Sequence, residues 1–261
     1  MLRGPDGAEI ASTPLEADVR ASEQPPAGAV LTIGKLGGLD GASRSPSYYT
    51  SVVATGREDY YAGRGEAPGE WVGQGAAVLD LSGEVDADDL GALMEGRRPG
   101  SQDQLRRPFG ERAVVGFDLT FSAPKSVSIL YGAGDEQLSR AVREAHDGAV
   151  RAALGYMERA ACRARRGHAG VERVAGEGFA AGAFRHRTSR ARDPQLHTRA
   201  VVGNLTRGPD RRWTALDGRP LYHHAKTGGY LYQAELRARL SGSLGVEWTA
   251  VENERTTCSP P

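Results

Sequence analysis

"FRHRTSRARDPQLHTRAVV", residues 184–202, sets His186 and His197 eleven positions apart and puts Arg199 two positions beyond the second. Around its Arg-rich centre stand two runs that read as strands, "EGFAAGAFRH" at 177–186 and "LHTRAVVGNL" at 196–205. They are predicted to pair as a hairpin across the loop 187–195. Alternate side chains of a strand share a face, so His197 and Arg199 point the same way, and His186 converges on them from the neighbouring strand. Spacing alone leaves three readings open. Imidazoles gathered on one sheet face suit a divalent transition metal. A guanidinium stays protonated and has no lone pair to give, which makes the same stretch a damaged metal site. It is also readable as a basic strand with two incidental histidines.

The clearest single strand is "VVGFDLTF", 114–121. Val115, Phe117, Leu119 and Phe121 alternate onto one face, and Val114, Gly116, Asp118 and Thr120 onto the other. "SAPKSVSIL" follows with helix-start signals, Ser122 as N-cap and Pro124 in the first turn. The longest predicted helix covers 135–166, with Leu138, Val142, Ala145, Ala149, Ala153 and Met157 at helical spacing and a basic end, "CRARRGHAG". "AVLTI" at 29–33 reads as a strand and "VDADDLGALMEG" as an acidic helix. A helix near 225–241 precedes a strand, "VEWTAV".

The chain has 261 residues, 39% of them hydrophobic, and a formal net charge of zero, so only local clustering of charge can point to a partner. Cys162 and Cys258 form no CxxC pair, which fits a reducing, cytoplasmic setting. No apolar run approaches a membrane span, and the N-terminus lacks the order of a signal peptide. There is no GxxxxGK[ST] phosphate loop. Residues 1–29 and 252–261 are poor in large apolar side chains and are expected to be disordered.

Five arginines, Arg185, Arg187, Arg190, Arg192 and Arg199, fall in fifteen residues with only Asp193 against them. Such a strip suits a phosphate backbone, or else is a solvated hairpin. Two tyrosine pairs, Tyr48-Tyr49 and Tyr60-Tyr61, are candidate nucleophiles if a base or cation helps a phenol to ionise; otherwise they pack a helix on a sheet. Asp118, on the less apolar face of its strand, is placed to orient a histidine or accept a phenolic proton, or is an ordinary paired carboxylate. His146 and His168 are expected in solvent, and His223-His224 at a helix start.

Together, "FDLTFSAPKSVSILYG", "FRHRTSRARDPQLHTRAVVGNL" and the "SYY…DYY" tyrosines resemble conjugative relaxases of the MobF, TrwC-like class over roughly residues 30–250. The resemblance implies an α+β fold: an antiparallel five-stranded palm-like sheet (the HUH relaxase fold) with helices packed on one face. It implies a relaxase domain over 30–251, shortened at its C-terminal end, with 1–29 as a leader from a misassigned start. It further implies strand-specific nicking of a DNA hairpin at a transfer origin. Tyr48 would be the first nucleophile, Tyr60 or Tyr61 the second, and Asp118 the activating carboxylate. His186 and His197 would hold a divalent ion, Mg²⁺ or Mn²⁺, and Lys125, Arg187, Arg190, Arg192 and Arg199 would meet single-stranded and hairpin DNA. The family's helicase is expected to be absent from this chain. In the family pattern a third ligand stands where this sequence has Arg199, so metal binding is expected to be weakened. The alternative is a non-catalytic DNA-binding remnant.

Overall fold

"VVGFDLTF" forms strand β3 (Gly116–Ser122) in the computed structural model, which describes residues 30–37, 68–110, 113–189 and 193–248. Phe117, Leu119 and Phe121 enter the larger apolar core, while Asp118 and Thr120 take the opposite face. Val115 breaks the expected alternation: it precedes the strand and packs with the smaller core. Burying each of these large side chains is worth roughly 1.5–3 kcal/mol, so the face assignment is strongly held.

Among the described residues five strands form the sheet: β1 (Leu31–Leu36), β2 (Glu70–Val72), β3, β6 (Ala181–Thr188) and β7 (Pro194–Gly203). Their order is β1-β3-β7-β6-β2, with every pairing antiparallel. The 177–205 hairpin is β6–β7 with His186 directly opposite His197. β1 runs on to Leu36, three residues past the expected strand end at residue 33.

One face of the sheet is covered by two long helices, α4 (Glu136–Ala161) and α5 (Gly218–Leu244). α4 starts at Asp135, whose carboxylate accepts from the Leu138 amide at 2.8 Å. Its apolar stripe of Val142, Ala145, Ala149, Ala153 and Met157 is buried against the sheet. On the opposite face, helix α1 (Gln74–Val78) and helix α2 (Ala87–Met94) pack at one end, bringing Leu90, Leu93 and Met94 onto Leu36, Phe184, Val201 and Leu205. The α2 N-cap is Asp86, which accepts from the amides of Asp88 and Asp89. Gly73, at φ 94°, lets this segment press on the sheet: a Cβ there would lie 2.2 Å from the Phe179 carbonyl oxygen.

Several predicted boundaries move. Helix α3 (Lys125–Ala133) is capped at Pro124, not Ser122, which ends β3. Its Ser128 hydroxyl donates to the Pro124 carbonyl at 3.2 Å and accepts from the Leu196 amide at 3.0 Å, fastening α3 to β7. The long helix stops at Ala161, and "RARR" becomes strand β4 (Arg163–Arg166), paired with β5 (Glu172–Ala175). Tertiary partners override the helical reading: Ala164 bridges to Leu216, and Arg166 binds Asp210 and the Arg212 carbonyl. A second ribbon, β8 (Thr206–Arg207) with β9 (Trp213–Thr214), lies beside it. Helix α5 begins at Gly218, earlier than expected, because Asp217 caps it, and His223-His224 lie inside it rather than at its start. Residues 245–248 form no strand; Val246 and Trp248 pack on the larger core.

Candidate active site

The candidate chemistry lies on the sheet face opposite the two long helices, beyond α1 and α2. Antiparallel pairing sets His186 across from His197, and their rings stack with centroids 5.1 Å apart and 18° between planes. The His197 Nδ1 lies 2.9 Å from the Gln195 carbonyl oxygen. A carbonyl can only accept, so Nδ1 is the donor in this contact.

Two residues along the same face, Arg199 turns its guanidinium onto Asp118. Nη2 bonds Oδ2 and Nε lies 3.4 Å from Oδ1, a side-on ion pair between adjacent strands. Both residues are buried, Arg199 at 6% and Asp118 at 8% exposure. Pairing and burial together hold Arg199 inside the sheet, not on a solvent-facing strip.

The residue between them, Thr198, faces the helices. Its hydroxyl lies 2.7 Å from His146 Nε2, and His146 Nδ1 lies 2.7 Å from the Tyr232 hydroxyl. His146 is therefore wholly buried, against the expectation of a solvated position on α4. Burial, with the Arg185 and His197 charges behind it, pushes its pKa down to about 3. The signal was present in the sequence: His146 falls four residues after Val142 and three before Ala149, within the buried stripe.

The remaining predicted residues are spread apart. Lys125 pairs with Asp193 and donates to the Pro194 carbonyl at 2.9 Å, closing the base of the β6–β7 loop. Arg185 points to the helical side and binds Asp147 at 2.6 Å. Arg187 is half-buried at the irregular register of β6, between His186 and Thr188. Tyr48, Tyr49, Tyr60, Tyr61, Arg190 and Arg192 lie outside the described residues.

As a metal site the arrangement is partial. His186 and His197 are suitable ligands side by side, but the adjoining position holds a cation. Among the described residues no group of three His, Cys, Asp or Glu side chains is placed to hold an ion.

An antiparallel five-stranded palm carrying paired histidines on the face opposite its long helices defines a relaxase-type domain. The chain belongs to the TrwC relaxase family, whose sequence profile matches residues 42–259. It is 35% identical over 223 residues to the multifunctional conjugation protein TraI of Escherichia coli, covering 80% of this chain and 12% of that protein. The chain thus spans about an eighth of that relative's length. Among solved structures it is similar to the conjugative relaxase TrwC in a metal-bound complex with oriT DNA, with a TM-score of 0.66, 37% identity, and 81% of this chain and 70% of the other covered. It is also similar to TrwC complexed with a 27-mer DNA comprising the recognition hairpin and the cleavage site, with a TM-score of 0.68, 33% identity, and coverage of 85% and 72%.

Proposed function

We propose that this chain is a relaxase domain that nicks one DNA strand at the transfer origin of a plasmid or integrative element. The reading is carried by the juxtaposition of His186 and His197 on the sheet face opposite the long helices, in a chain of the TrwC relaxase family. The Tyr48 phenol attacks the scissile phosphorus. A bond forms between its oxygen and the 5′ phosphate, the 3′ oxygen leaves with a proton, and the strand stays joined to the protein. Tyr60 or Tyr61 performs the second transfer. His197 shares the sheet face of Arg199, with its Nδ1 2.9 Å from the Gln195 carbonyl oxygen. Asp118 holds the Arg199 guanidinium in place beside the histidines. A divalent ion held by His186 and His197 would supply Lewis-acid polarisation of the phosphate. Single-stranded and hairpin DNA are the partners, met by Lys125, Arg187, Arg190 and Arg192. No described helix is long and apolar enough to cross a membrane.

The buried Arg199–Asp118 pair favours a second reading, a DNA-binding remnant without strand transfer, because it engages the carboxylate that a phenol would need as proton acceptor. A suicide oligonucleotide carrying the cognate origin separates the two. Nicking yields a covalent protein–DNA adduct with Mg²⁺ or Mn²⁺ present, and Tyr48→Phe abolishes it. Absence of adduct, with hairpin binding that weakens steeply with salt, leaves the remnant. If the triple change Arg187→Ala, Arg190→Ala, Arg192→Ala leaves affinity flat across the salt series, the DNA contact itself is wrong.

A further inference from the structure

We propose that the Arg199–Asp118 ion pair is a permanent internal counter-ion standing in the position of a third metal ligand. The histidine pair then holds a divalent cation only weakly. The third-ligand position rests on the relaxase reading; the weak binding rests on the side chains present.

Arg199 shares a sheet face with His197 and sits directly across from Thr120 on β3 and Phe184 on β6. It is thus fixed in the floor of the site, one pleat from the stacked imidazoles. Its guanidinium cannot discharge at any accessible pH and has no acceptor atom. A divalent ion arriving at His186 and His197 finds at this position a guanidinium with no lone pair to donate, its charge already matched by Asp118. Moving the guanidinium away means opening a two-point contact with Asp118, and both partners are more than nine-tenths buried. The same contact withdraws the Asp118 carboxylate from the role that acidic groups play around metal-bound histidines, orienting an imidazole and raising its basicity. Only two imidazole donors remain, stacked nearly parallel. Such a pair suits a softer transition ion better than Mg²⁺. The paired charges also cancel, so the floor of the site adds no net charge to what an incoming phosphate meets.

The test uses the full chain and Arg199→His, first with Mn²⁺ alone, measured by the loss of the free-ion paramagnetic resonance signal. The wild-type chain is expected to half-saturate only in the millimolar range, with no rise in melting temperature between EDTA and 1 mM Mn²⁺. The Arg199→His chain is expected to bind on the order of 100-fold more tightly, since both a ligand and its carboxylate support are restored. A labelled DNA hairpin with a single-stranded arm is expected to bind the wild-type chain equally in EDTA and in Mn²⁺. Micromolar Mn²⁺ binding by the wild type overturns the proposal, as does a folded Arg199→His chain with no gain. If Arg199→His fails to fold by circular dichroism, the wild-type titration and melting series decide alone. Weak Mn²⁺ binding with no hairpin binding in either condition upholds the ion-pair assignment and counts against the relaxase reading.

Discussion

Replacing Arg199 by methionine is expected to remove about 3–5 kcal/mol of stability, because it leaves the Asp118 carboxylate buried with its principal cation gone. At an m value of about 2 kcal/mol per molar urea, the unfolding midpoint falls by roughly 2 M. The size reflects what is left behind. Coulomb attraction within a buried pair roughly offsets the cost of removing two ions from water, so the intact pair adds little, whereas one orphaned ion carries the whole desolvation cost. The double change Arg199→Met, Asp118→Leu is therefore expected to recover most of the loss. A coupling of several kcal/mol in the double-mutant cycle is the result that supports the pair. If the double variant is as unstable as the sum of the singles, the two side chains act independently and the geometry assigned to the floor of the site is wrong.

Acidification is expected to act through His146. Its pKa is held down to about 3 in the folded chain, first by burial and then by the nearby Arg185 and His197 charges, against an ordinary 6.5. Above 6.5 the imidazole is neutral in both folded and unfolded chains, and the group sets no pH dependence. Below 6.5 the unfolded chain takes up a proton that the folded chain refuses until about pH 3. Stability is thus fully present above 6.5 and is lost as pH falls toward 3. From pH 7 to pH 4 the loss through this one group is about 3 kcal/mol, at 1.36 kcal/mol per pH interval below 6.5. His146→Gln keeps a hydrogen-bonding side chain but removes the titration. Its melting temperature is expected to fall less steeply than the wild type's over this window, although it starts lower at pH 7. Parallel profiles for the two proteins would reject the assignment.

The elements legible in the sequence are those whose apolar period is undisturbed. Phe117, Leu119 and Phe121 declared β3 and its faces, and Val142 to Met157 declared α4, because each has one partner surface and a single repeat. The β6–β7 hairpin was legible from its two extended runs, and with it the meeting of His186 and His197. Strand β4 was not. "RARR" has no apolar alternation; Ala164 is its one buried side chain, and the strand exists because β5, Leu216 and Asp210 receive it. His146 was misjudged from its polarity, since a histidine is buried cheaply only when both ring nitrogens find partners, and those partners, Thr198 and Tyr232, are 52 and 86 residues away. The Arg199–Asp118 contact was hidden for a related reason. It joins strands whose register nothing local specifies, so a residue legible as a lost ligand proved to be half of an ion pair.

Strand β7 carries two unrelated kinds of cargo on successive residues: His197 and Arg199 look one way and Thr198 looks the other, into the hydroxyl–imidazole–hydroxyl chain that ends at Tyr232. Because the three share one stretch of backbone, disturbing the chain from behind rotates all of them together. Selection for variants with changed DNA handling should accordingly return hits on the far side of the molecule, at Tyr232 and His146. Such hits would be mistaken for a remote regulatory site by anyone mapping them on the surface alone.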